Sequence, residues 1–225
     1  AGMALPPGQP APPPMFTPYS LRGTTLKNRI VVSPMAQYSA VDGVPSDYHL
    51  VHLGARAMGG AGLVFAEMAC VSAEGRITPG CPGLYTPEQQ AGWARIAEWI
   101  HTHTDAKFAL QIGHAGAKAS TCVPWQGGGI DQPLPSGNWP LLAASSYQYI
   151  EGVSQSAKAM TRADMDTVTA QLVAATRMAA EVGADWLELH CAHGYLPSSF
   201  ISPLTNTRTD AYGGSLENRL RYPLE

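Results

Sequence analysis

Short apolar runs alternate with stretches of helical spacing along most of this 225-residue chain, and no other feature constrains its fold as much. The runs are Ile30-Val31-Val32, Leu63-Val64-Phe65-Ala66, Phe108-Ala109-Leu110-Gln111-Ile112 and Trp186-Leu187-Glu188-Leu189. After the first, Ser46 is placed to cap a helix running to about Met58, where Gly59-Gly60 stops it. Thr86-Pro87-Glu88 opens a second helix: threonine caps, proline takes the first helical position, and Trp93, Ile96, Ala97 and Ile100 share one face. Thr161-Arg162-Ala163-Asp164 reads as a capping box with aspartate in place of glutamate. It leads a long helix in which Met165, Val168, Leu172, Ala175 and Ala179 keep three-four spacing up to Gly183. Strands alternating with helices argue for parallel βαβ units in an α/β fold, and right-handed crossovers then place every strand's C-terminal end on one face.

Two segments stand outside this pattern. Residues 6–14, PPGQPAPPP, are dominated by proline, which fixes φ and removes backbone donors, so residues 1–15 are expected to be an extended linker or tail ahead of a fold that begins near Phe16. The Gly/Pro/Ser-rich excursion from Gly113 to Met160 is long enough to suggest a functional loop. With 45% hydrophobic and 14% charged residues the remainder is globular, not disordered. A net charge of -3 without a basic block argues against nucleic acid as a partner, and the lack of any run of about 18 apolar residues argues against a membrane span. Cys70, Cys81, Cys122 and Cys191 lie far apart, with no C-x-x-C pair and no secretory leader ahead of them, which predicts reduced thiols and a cytoplasmic protein. His101 and His103, two apart on a helix, point to different faces and make a poor metal pair; they are expected to be solvated at the helix end.

The common strand-end face gathers Ser33-Pro34-Met35, Glu67-Met68, Gln111 to His114, and His190 to Tyr195. Ligands and chemistry sit there in a (β/α) barrel. A doubly wound sheet also uses its strand ends, but no G-x-G-x-x-G or G-x-x-x-x-G-K-[ST] follows the first strand. Leu189-His190-Cys191-Ala192-His193-Gly194-Tyr195-Leu196 puts two imidazoles and a phenol within six positions. If the turn tightens, His190 and His193 converge on one oxygen, where two N–H donors polarise a carbonyl and Tyr195 delivers a proton to the neighbouring carbon. The same spacing suits a zinc pair, which lacks a convincing third ligand, or two histidines satisfied by backbone carbonyls. Gln111 offers an amide donor and acceptor to a planar heterocycle, or is simply a polar strand-end residue. Lys118 is expected to face solvent rather than an anion, and Tyr38 to lie over the barrel mouth.

Five blocks occur in order: Asn28-Arg29-Ile30-Val31-Val32-Ser33-Pro34-Met35, Glu74-Gly75-Arg76-Ile77, Gln111-Ile112-Gly113-His114-Ala115-Gly116, Glu188 to Leu196, and Ser202 to Arg219 with its Thr207-Arg208-Thr209-Asp210 and Tyr212-Gly213-Gly214 core. Together, from about Phe16 to the last residue, they resemble the Old Yellow Enzyme family of FMN-dependent ene-reductases, in its bacterial thermophilic-like branch. The resemblance implies a TIM (β/α)8 barrel holding FMN, reduced by NAD(P)H, that passes hydride to the β-carbon of a conjugated enone. Carried over residue by residue, Ser33, Pro34, Met35, Ala36 and Met68 line the flavin and Gln111 bonds its pyrimidine edge. His190 and His193 hold the substrate's activating oxygen, Tyr195 is the proton donor and Tyr38 the substrate-side tyrosine, with no metal. Arg208, Asp210, Asn218 and Arg219 belong to the family signature as structural residues.

Three positions depart from the branch's pattern. Ala36 replaces a common cysteine, Met68 a smaller residue, and Ala117 a frequent arginine, which removes one contact for anionic substrates. Related domains also occur fused behind a hydroxylase of salicylyl-CoA, so an unsaturated acyl-CoA is a second implied substrate, and the family implies a homo-oligomer. Only about the first four βα units are visible in the 225 residues, whose length is spent on long loops, whereas an eight-stranded barrel takes about 250. Residues 16–225 thus read as the N-terminal half of the barrel. The alternative is an incomplete or non-catalytic module that needs a complementing segment to bind FMN.

Overall fold

A computed structural model of the chain describes residues 11–126 and 129–225, so much of the expected proline-rich linker lies outside the described residues. The first element is a 3-10 turn, Pro14–Phe16, at the end of the expected extended linker, followed by a hairpin, β1 (Tyr19–Leu21) and β2 (Thr24–Leu26), then β3 (Val31–Val32) and α1 (Asp47–Met58). They are followed by β4 (Leu63–Cys70), α2 (Pro87–His103) and β5 (Lys107–Gly113). Among its described residues the long excursion contains a 3-10 turn, Gly116–Lys118, and two short strands, β6 (Leu142–Ala143) and β7 (Lys158–Ala159), that pair in parallel. The chain continues through α3 (Arg162–Val182), β8 (Trp186–Leu189), α4 (Leu196–Ile201) and α5 (Leu216–Leu224).

The predicted caps are present. Ser46, Thr86 and Thr161 each accept a backbone N–H of the first helical turn, and His49, Gln89 and Asp164 each reach back to the capping residue's own N–H. Each such cap contributes about 1 kcal/mol to its helix. Gly183 ends α3 in the left-handed conformation, with φ of 84°.

β3, β4, β5 and β8 form one parallel sheet whose spatial order is the chain order. Winding in one direction is what a barrel arc requires; a doubly wound sheet reverses its order at a switch point. Side chains alternate across it as the strand period demands. Val64, Ala66, Phe108, Leu110 and Ile112 pack against Leu53 and Ala57 of α1, Trp93, Ile96 and Ile100 of α2, and Ala175 and Ala179 of α3. On the opposite face Leu63, Phe65 and Ala109 close over Leu26 of the hairpin. Among the described residues the arc stays open, with Val31, Leu187 and Leu189 at least 40% exposed along its two edge strands.

Several expectations are corrected. β4 runs to Cys70, well past Ala66, because its polar and bulky end is buried rather than solvated. His101 is not a free helix-end residue: its Nε2 lies 2.7 Å from Asp185 Oδ2, which also accepts the Phe108 N–H and pairs through Oδ1 with Lys107. That carboxylate ties the end of α2 to the starts of β5 and β8. His103 packs on the Trp99 ring.

Candidate active site

The arc positions a cavity of about 580 Å³ at the C-terminal ends of its four strands. Ser33, Pro34 and Ala36 approach from the segment after β3, Met68 from β4, Gln111 from β5, and Glu188 to Tyr195 from β8 and the turn beyond it. Along β4 three steps from Phe65 to Met68 match two along β5 from Ala109 to Gln111. This bulge re-aims the strand end, as bulges beside functional sites commonly do. Gly113 fits beneath Met68: a Cβ there would meet Met68 Sδ at 2.5 Å and His190 Cβ at 3.1 Å.

The turn after β8 does tighten. His193 takes φ of 57° and Gly194 φ of 75°, which swings the His193 ring back onto His190. Their ring centroids stand 5.0 Å apart, with His193 Nδ1 3.3 Å from His190 Nε2. His190 Nδ1 accepts the Ala192 N–H, so the neutral ring carries its proton on Nε2, facing His193 Nδ1. Burial, then the neighbouring His193 and Lys118, push His190 down to about 4, so it is neutral at physiological pH. The Tyr195 ring lies 4.7 Å from that of His190. Burial first, and then Tyr38 and nearby thiols, hold the Tyr195 phenol well above its ordinary range, which keeps it a proton carrier.

Gln111 and Glu188 supply the polar wall. Gln111 Nε2 donates to Glu188 Oε1 at 2.5 Å, which leaves the Gln111 carbonyl oxygen as an acceptor. Sequence reasoning missed Glu188 as a cavity residue, although a carboxylate inside the four-residue run Trp-Leu-Glu-Leu is itself a signal. It also misplaced Lys118, which is not solvated. Its Nζ sits 4.7 Å over the Tyr149 ring and 5.3 Å over the Tyr195 ring, with Asp131 at 3.9 Å. Two aromatic faces and an anion hold an ammonium better than a loop surface does.

Two other candidates lie off the cavity wall. Met35 is 49% exposed. Tyr38 packs into the same apolar cluster as Met68, Ile77 and Tyr195 but lines a neighbouring cavity of about 780 Å³ with Trp125, Val123 and Leu134. Among the described residues no group of three or more His, Cys, Asp or Glu is arranged to hold a metal ion, so His190 and His193 have no third ligand. The signature residues act on the scaffold. Arg208 donates to the carbonyls of Ala144 and Met160 and pairs with Asp210, Asn218 caps the Gly213 carbonyl, and Arg219 donates to Ile201.

An apolar floor of Met68 and Ile77, a polar wall with one free amide acceptor, and the glycine clearance at Gly113 together fit a flat heteroaromatic ring system such as that of FMN. Among the described residues no lysine or arginine lines the cavity.

A profile of the NADH:flavin oxidoreductase / NADH oxidase family matches residues 14–225. The chain is 41% identical over 213 residues to an NADH:flavin oxidoreductase of Gibberella zeae, covering 94% of this chain and 51% of that protein. It is 40% identical over 210 residues to an NADPH dehydrogenase of Halalkalibacterium halodurans, covering 92% of this chain and 56% of that protein. Among solved structures it superposes on morphinone reductase with a TM-score of 0.81 at 30% identity, over 94% of this chain and 57% of the other. The chain spans about half the length of the curated relatives it matches. With the strand order, the strand-end cavity and a family profile matched over nearly all of its length, the chain belongs to the NADH:flavin oxidoreductase / NADH oxidase family, the Old Yellow Enzymes.

Proposed function

We propose that this chain carries the ring-binding and proton-donating half of an FMN-dependent NAD(P)H oxidoreductase that reduces the C=C bond of a conjugated enone. The observation that carries the reading is the convergence of His190, His193 and Tyr195 on the cavity that Gln111, Ser33 and Met68 also line. Bound FMN would supply the two-electron chemistry that links NAD(P)H to the alkene. Ser33, Pro34, Met35, Ala36, Met68 and Gln111 would hold it, with Met35 contributing through its backbone.

The chain's own residues do the rest. His190, neutral and protonated on Nε2, would turn that N–H from His193 Nδ1 to the substrate's carbonyl oxygen and donate to it together with the His193 ring. The carbonyl is thereby polarised and charge growing on its oxygen is stabilised. Tyr195, whose O–H is retained at neutral pH, donates that proton to the carbon next to the carbonyl. Tyr38 borders the substrate on its outer side. The alternative substrate is an unsaturated acyl-CoA, whose thioester carbonyl would take the place of the enone's while its phosphates lie outside the cavity. The test is NAD(P)H-dependent reduction of 2-cyclohexenone by the complete FMN-loaded enzyme; a protein that takes up FMN and leaves the alkene intact would refute the reading.

A second reading is favoured by the open edges and by a cavity without lysine or arginine among its described lining residues: this stretch binds FMN only when further strands complete the barrel. Titrating FMN into the 225-residue chain alone decides it. Stoichiometric binding with micromolar affinity removes this reading, and no change in flavin absorbance or fluorescence supports it.

A further inference from the structure

We infer that His49 and Glu67 are positioning residues that couple the cap of α1 to the loop carrying Tyr38. Both side chains are 2% exposed, and His49 Nε2 lies 3.2 Å from Glu67 Oε1. The contact is oblique, and among the described residues neither of these two atoms has another partner. On the other side of the imidazole, Nδ1 accepts the Ser46 N–H at 3.0 Å, completing the capping box of α1. That bond fixes the ring proton on Nε2, facing the carboxyl group. The second oxygen, Glu67 Oε2, accepts the backbone N–H of Gln37 at 2.8 Å and of Tyr38 at 3.4 Å. The side chains thus form one line from the helix cap to the loop after β3.

The loop end needs such a hold. Tyr38 sits at φ of 50°, a left-handed conformation unfavourable for a bulky side chain and kept only where surrounding contacts fix it. The bulge in β4 falls at Ala66 and Glu67, between the paired residues Phe65 and Met68, and lets consecutive residues serve different sites. Met68 lines the cavity while Glu67 reaches the loop and α1. Bringing a carboxyl group and an imidazole together out of water is costly unless their remaining sites are filled. Here the filling groups are two loop amides and a helix-cap amide. A pair that only stabilised the core would be replaceable by packed apolar residues, whereas this one fixes the backbone of a segment that borders the candidate site.

Peptide-resolved hydrogen exchange in the complete enzyme tests the coupling. In Glu67→Gln the amide group presents a donor to either His49 or the loop, and exchange at Gln37 and Tyr38 is expected to quicken about tenfold or more, with α3 unchanged. His49→Ala should reproduce this. His49→Gln should reverse most of it, because glutamine at the third helical position accepts the Ser46 N–H and offers an N–H toward Glu67. Unchanged exchange at Gln37 and Tyr38 in both Glu67→Gln and His49→Ala, or acceleration matched across α3, would overturn the inference.

The kinetic arm alone rests on the proposed substrate-side role of Tyr38. There, KM for 2-cyclohexenone should rise about tenfold while kcat stays within about threefold. A fall in kcat at constant KM would count against positioning. If the wild-type enzyme reduces no enone, the proposed function fails while the exchange result still decides the coupling.

Discussion

In the role proposed for it, Tyr195 must keep its phenolic proton until charge develops beside it, and burial rather than a bonded base raises its pKa. Replacing Tyr195 by Phe leaves the two imidazoles and the cavity in place. Enone turnover is therefore expected to drop by about 10²-fold or more, while the rate at which NAD(P)H reduces the enzyme changes little. Stopped-flow separation of the two half-reactions checks this, and equal losses in both would contradict a proton-donor role. His190, His193 and Tyr195 were legible in the sequence because they lie within one turn, where spacing alone says which groups can meet. Glu67, Glu188 and Lys118 were not, because their partners, His49, Gln111 and Tyr149, come from 18, 77 and 31 positions away and only the fold brings them close.

His114 adds a prediction in pH at the same scale. It is buried, accepts the Gly116 N–H on Nδ1, and is pushed by burial from 6.5 down to about 4. Its folded pKa lies below its unfolded one, so between those values the unfolded chain binds more protons. Stability attributable to His114 is thus intact above about pH 6.5 and falls by up to about 3 kcal/mol as pH drops to about 4. Urea midpoints measured from pH 7 to pH 4 should fall more steeply in the wild type than in His114→Asn, whose amide oxygen can take the Gly116 N–H. Parallel curves for the two proteins would contradict the assignment.

Among elements, two glycines separate the cost of backbone from the cost of space. Gly183 closes α3 at φ of 84° with open space around it, so Gly183→Ala meets only conformational strain. It should cost about 1 kcal/mol and lower the thermal midpoint by about 2–4 °C, leaving the cavity untouched. Gly113 closes β5 against Met68 and His190, so Gly113→Ala should leave the fold intact and drive Met68 into the cavity. Flavin affinity is expected to fall about tenfold and to recover in part when Met68→Ala makes room, as read by FMN titration of the complete enzyme. No recovery would mean that His190, not Met68, absorbs the added methyl. The caps and helix faces were readable because both are local patterns of period and polarity. The end of β4 was not: Glu67 interrupts the apolar run, and only burial against His49 and the loop keeps that residue in a strand.

Over the whole molecule, alternation made parallel strands with their C-terminal ends on one face legible, but not the strand order, which a doubly wound sheet with the same right-handed crossovers would have reversed. Closure does not follow from pattern, because it depends on what lies against the edges. Leu187 and Leu189 project to the helix side of β8, into a groove lined by Leu172, Val173, Pro197 and Tyr222, where a further βα unit of a barrel would pack. Covering two such leucines is worth about 1.5–3 kcal/mol each, and β8 also presents its unpaired backbone beside them. The 225-residue chain on its own is therefore expected to self-associate with rising concentration. Leu187→Lys should weaken that association, since it places a charge in the groove while removing a side chain already 41% exposed. Sedimentation velocity over a hundredfold concentration range, with circular dichroism to show retained helix content, provides the test. A wild-type chain that stays monomeric throughout would show that the exposed groove is tolerated. A Leu187→Lys chain that associates as strongly as wild type would place the contact elsewhere, with the β3 edge at Val31 the next surface to charge.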